Sequence, residues 1–88
     1  LPGQPIKTKG RPKLKQLLTD IVKPLVDNPD EVSVIERVSG DMSILELTVA
    51  KGDTGKVIGR GGKIAKSIRL VMRAAAVKEN KRVIVDIN

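Results

Sequence analysis

Val57-Ile58-Gly59-Arg60-Gly61-Gly62-Lys63-Ile64 puts three glycines and two cations into eight residues. Glycine takes up positive φ without penalty and lets another backbone come close. Gly59 and Gly62 therefore bracket a tight turn. Before it, 54–58 has room only for a short helix, with Asp53 or Thr54 as its N-cap. After it, a longer helix runs from about 63 to 78. That second helix starts at the turn, so its unpaired N–H groups and positive dipole end face outwards. Arg60 and Lys63 add charge at the same place, and such a turn accepts phosphate oxygens of an extended strand. Val57 and Ile58 anchor the short helix and line a groove wall. Other phosphate loops fit badly. A Walker A loop needs glycine where Val57 stands and Ser or Thr where Ile64 stands. A dinucleotide fingerprint needs a third glycine at Ile64 and a strand directly before the loop.

Moving outwards along the second helix, Ile64, Ile68, Val71 and Ala75 read as its core stripe. At 100° per residue, Lys66, Arg69 and Arg73 fall on the opposite side. With Lys51, Lys56, Arg60 and Lys63 they make seven cations against one acid, Asp53, over 51–73. Leu70, Ala74 and Val77 form a second apolar line beside the basic one. It packs on the first helix, is ordinary scattered apolar surface, or is covered by a partner.

Upstream, Leu14, Leu17, Leu18, Ile21, Val22, Leu25 and Val26 recur with helical spacing. Pro24 should bend the last turn of this first helix, and Asn28-Pro29 ends it. Residues 32–38 and 43–50 are β-branched and roughly alternating, and Ser39-Gly40-Asp41 joins them as a hairpin. Leu45, Leu47 and Val49 share the face under the helices. After a turn at 79–81, residues 82–87 form a last strand. The order α-β-β-α-α-β implies an α+β fold. The domain is expected over 14–88. Residues 1–13 read as a flexible basic arm, rich in Pro and Gly, either native or a remnant of expression.

The whole chain has 88 residues and 9.5 kDa, enough for one small core. Its net charge is +7, with 40% hydrophobic and 31% charged residues. The charge is uneven. Residues 14–50 hold three cations and seven acids, whereas 51–88 hold ten cations and three acids. An acidic partner is implied, and the basic half is where it would sit. Cys, His, Phe, Tyr and Trp are all absent. Their absence removes disulfides, thiolate nucleophiles, imidazole bases, Cys- or His-ligated metal sites and aromatic base-stacking platforms. No acid–base or nucleophile pair stands out, and Asp20, Asp27, Asp30, Glu31 and Asp41 read as solvated or capping residues. The expectation is a cytoplasmic, non-catalytic binding domain with no cofactor, metal, membrane span or signal peptide.

With these residues in view, VIGRGGKI resembles the signature of a KH domain: apolar residues, Gly-x-x-Gly and an apolar helix start. The element order is that of the type II arrangement, a three-stranded sheet with three helices on one face. IVKPLVDNPDEV at 21–32 and GKVIGRGGKIAKSIR at 55–69 resemble the two most recognisable segments of the small bacterial single-KH proteins of the KhpA family. The resemblance implies that Gly59, Arg60, Gly61 and Gly62 clamp the backbone of single-stranded RNA, with Lys63 at the helix start. It implies KH–KH pairing, either as a homodimer or with a larger Jag-type protein carrying its own KH domain. It also implies an RNA chaperone or regulatory role linked to cell elongation. The rival reading is a protein-interaction module acting mainly through dimerisation along Leu70, Ala74 and Val77. A DNA-binding reading finds no helix-turn-helix pattern to support it.

Overall fold

The first helix, α1 (Lys13–Val22), buries Leu14, Leu18 and Val22, spaced four apart, and packs Leu17 and Ile21 beside them. It stops earlier than its apolar periodicity predicts. Pro24 has no N–H to continue the ladder, and its ring crowds the preceding turn. The chain instead tightens into a 3₁₀ turn, Lys23–Leu25. Leu25 thereby leaves the core face, while Val26 still reaches the core. A second 3₁₀ turn, Pro29–Glu31, leads into the sheet. The computed structural model describes residues 13–87, so the arm expected over 1–13 lies outside the described residues except for Lys13, the first residue of α1.

Strands β1 (Ser33–Ser39) and β2 (Met42–Thr48) pair antiparallel, from Ser33 opposite Thr48 to Ser39 opposite Met42. The turn between them uses Gly40 at φ +62°. The last strand, β3 (Arg82–Ile87), lies parallel to β2 on its other side, from Met42 beside Arg82 to Leu47 beside Ile87. The Arg82 amide donates to the Asp41 carbonyl at 2.9 Å, which starts this register at the hairpin turn. A parallel neighbour needs a long crossover. Here the crossover consists of α2 (Thr54–Ile58) and α3 (Lys63–Lys78).

Alternation along β2 sets the layers. Ser43, Leu45 and Leu47 are buried, as is Val49 just beyond the strand, and Leu45 and Leu47 are fully enclosed with Leu18, Val22, Val57 and Met72. The shared face of Leu45, Leu47 and Val49 is the one expected from sequence. Across from it, Ile35 and Ile84 are exposed on the uncovered side of the sheet. The fold is the expected α+β arrangement, helices on one face of three strands.

On α3 the structure corrects the predicted stripe. Its buried residues are Ala65, Ile68, Met72 and Ala76; Ile64 and Ala75 are partly buried, and Val71 is exposed. The larger aliphatic residues suggested a face rotated from the real one. Two of the four buried positions are alanines, so bulk was a poor guide to burial. Ser43 is a second departure from pattern: its hydroxyl is fully buried and has no hydrogen-bond partner among the described residues. Ser43→Ala is expected to raise stability by about 0.5–1 kcal/mol, because an unsatisfied buried hydroxyl costs more than a methyl group. Urea unfolding measures this, and a lowered midpoint would show that the hydroxyl is bonded after all.

Candidate nucleic-acid interface

The Gly59–Gly62 segment is built from backbone that only glycine adopts easily. Gly59 ends α2 at φ 76°, ψ 173°, and its amide donates to the Gly55 carbonyl at 2.8 Å. Arg60–Gly62 makes a 3₁₀ turn interrupted at Gly61 (φ 64°, ψ 17°), and Gly62 (φ 78°, ψ 13°) is the N-cap of α3. The Gly62 amide donates to the Gly59 carbonyl at 3.1 Å, which closes the turn. A side chain at Gly59 would collide with Ile64, its Cβ lying 2.6 Å from Cγ1. The bracketing role predicted for Gly59 and Gly62 is therefore seen, and Gly61 shares their positive φ. No side chain caps the start of α3.

Arg60, Lys63 and Lys66 are exposed along this loop and the first turn of α3, and Arg73 is exposed further along it. Among the described residues none of these four forms an ion pair with an acid. Arg69 and Arg73 sit on the flank of α3 that faces β3, not opposite the core. The Arg69 Nε donates to the Val85 carbonyl at 3.3 Å. With Val83, Ile84 and Val85, the two arginines line a shallow groove of about 180 Å³ between α3 and the free edge of the sheet. Of the two apolar residues before the loop, only Ile58 reaches the surface, because Val57 is fully buried and serves as the anchor of α2. Lys56 is turned the other way. Its Nζ lies 3.4 Å from Asp27 and 3.9 Å from Asp53.

A scan against known families matches residues 15–87 to the description "KhpA/KhpB, KH domain". The chain belongs to that family. Among its relatives, the "RNA-binding protein KhpA" of Clostridium acetobutylicum is 65% identical over 75 residues, covering 84% of this chain and 99% of the relative. The protein of the same name from Clostridium perfringens is 53% identical over 74 residues, again 84% and 99% of the two chains. That of Bacillus subtilis is 47% identical over 70 residues, 80% of this chain and 86% of the relative. Gly59-Arg60-Gly61-Gly62 lies within the matched residues, between α2 and α3.

One residue of the KH domain was read from sequence only as a candidate N-cap and as the one acid of the cationic stretch. Asp53 is 1% exposed, in the last position of a 3₁₀ turn, Lys51–Asp53, that precedes α2. It occupies the N-cap position, yet its carboxylate makes no capping bond to α2. It accepts instead from the Asn28 amide at 3.0 Å and from Asn28 Nδ2 at 3.2 Å. Burial pushes its pKa up. The backbone N–H groups of Asn28 and Asp27, the Asn28 side chain and the Lys56 charge outweigh that and hold it below the ordinary 3.8. The sequence marked it as a possible N-cap and as a single acid in a cationic stretch, but its partner is 25 residues away. No helix of the described residues is long and apolar enough to cross a membrane, and no cluster of potential metal ligands occurs among them.

Proposed function

We propose that this KH domain binds single-stranded RNA without chemically altering it. Phosphates sit against the Gly59–Gly62 turn and the start of α3, and the bases lie along the groove of Arg69, Arg73 and the β3 edge. The observation that carries this is a row of exposed cations, Arg60, Lys63 and Lys66, without ion pairs among the described residues, beside a turn whose three glycines all have positive φ. The names of the relatives, each an RNA-binding protein, point the same way. A groove without aromatic rings offers little base stacking, so sequence preference should be weak. The resemblance extends the proposal to a regulatory or chaperone role in the bacterial cytoplasm, connected with cell elongation.

Salt titration of the affinity for a mixed-sequence RNA oligonucleotide tests the reading. Each phosphate neutralised contributes roughly 0.7 to the slope of log affinity against log salt. Several contacts give a steep line, whereas an affinity indifferent to salt sinks the electrostatic grip.

Exposure on α3 favours a second, compatible reading, KH–KH pairing. Leu70 is 65% exposed, Val71 48% and Val77 68%, and Ala74 is exposed with them. That exposure argues against packing on α1 and leaves scattered apolar surface or coverage by a partner. Covering such an apolar strip favours association, with a second copy or with a Jag-type KH partner. By light scattering the wild type is then a dimer, and Leu70→Glu is a monomer with an unchanged circular dichroism spectrum. A wild type that stays monomeric at high concentration rules out self-pairing.

A further inference from the structure

Building on the RNA-binding reading, we propose that Asp53 is a positioning residue for the Gly-Arg-Gly-Gly loop: its buried carboxylate ties α2 to the connection between α1 and β1 and draws Lys56 into that tie, away from phosphate. The loop needs such a tie. Helix α2 has five residues, too few to hold its own geometry. No side chain caps it, Val57 is its one buried residue, and a glycine follows it directly. Asp53, immediately before α2, supplies a fixed point at the other end. Its Oδ2 accepts from both the backbone and the side chain of Asn28. Asn28 stands between two 3₁₀ turns that each carry proline in their first positions, so the segment it belongs to is itself stiff.

Lys56 completes the arrangement. Its ammonium lies between Asp27 and Asp53, and a buried carboxylate needs such compensation. That separates it from Arg60, Lys63 and Lys66, with which it was grouped on sequence. The acids do not merely dilute a basic surface. They consume one cation to orient the others.

Electrostatics alone and the tie predict opposite signs. Removing a negative charge next to an RNA site should tighten binding, whereas loosening the loop should weaken it. In the full chain, Asp53→Asn is expected to accelerate hydrogen exchange at the Asn28 and Gly59 amides by about tenfold or more, with Leu45 and Leu47 unaffected. Its affinity for a mixed-sequence single-stranded RNA is expected to drop about fivefold while the protein stays folded. Lys56→Gln should leave the salt slope as it is, whereas Lys66→Gln should reduce it by about 0.7. Asn28→Ala removes one bond and keeps the carboxylate, so it should move exchange and affinity in the same directions by less; it decides the matter if Asp53→Asn does not fold. Unchanged exchange at Gly59, equal or tighter RNA binding by folded Asp53→Asn, or a shallower slope in Lys56→Gln overturns the proposal. A wild type that binds no RNA removes the functional reading, and the exchange data then still decide whether the tie exists.

Discussion

Gly59→Ala is expected to cost about 3 kcal/mol of stability or more, a large share of what a domain of this size has. Two effects add. The φ 76°, ψ 173° conformation is nearly exclusive to glycine, and forcing another residue into it costs roughly 1–3 kcal/mol. The new Cβ would also lie 2.6 Å from Ile64 Cγ1 and 2.9 Å from Ile64 Cβ. The second of these atoms is fixed to the backbone of α3, so a rotamer change cannot relieve the contact. The melting temperature should fall by roughly 12–24 °C. Gly61→Ala is the internal control. It too has positive φ, but nothing lies within 4 Å of its added Cβ. Its cost should stay near 1–2 kcal/mol. Circular dichroism melts of both variants test the contrast, and equal losses would mean that the contact with Ile64 is not what fixes the turn.

Arg60→Asp combined with Gly61→Asp should abolish RNA binding in a protein that still folds. Both positions are exposed. Losing one charge-assisted bond to phosphate removes roughly 1.5–3 kcal/mol, and two new carboxylates repel what remains. Together these exceed about 3 kcal/mol, more than a hundredfold in affinity. Folding should survive because the N-terminus of α3 tolerates acids. Aspartate also enters the left-handed region of Gly61 more readily than most residues, at a cost of about 1 kcal/mol. Unaltered affinity in the folded double variant would remove the loop from the binding surface.

What could be read from the sequence was whatever depends on near neighbours. Helical spacing located α1 and α3, β-branched alternation located the hairpin, and the glycine cluster located the loop. Burial on β2 followed from alternation alone. Errors arose where a tertiary contact outweighs local pattern. Pro24 ended α1 outright, although the apolar repeat continued through Leu25. Ala65 and Ala76, not Val71, are buried on α3. The antiparallel hairpin was foreseeable, but the parallel partnership of β3 with β2 was not, because nothing in 82–87 states which neighbour it takes. Asp53 and Lys56 were the hardest to place. Both sit among cations in sequence, and only the folded chain brings Asn28 and Asp27 to them.

The parallel pairing of β3 with β2 carries a kinetic consequence. The two helices that hold the loop are themselves the crossover between those strands, so the groove has its β3 wall only once the most sequence-distant pairing in the sheet has closed. Such closure comes late and is slow relative to local helix formation. A partly folded chain can thus display the glycine loop and its cations before the β3 side of the groove is in place. Competence to hold a ligand and completion of the fold arrive together. The same linkage runs in reverse: a ligand at about a hundred times its dissociation constant would hold the sheet closed by roughly 2.7 kcal/mol.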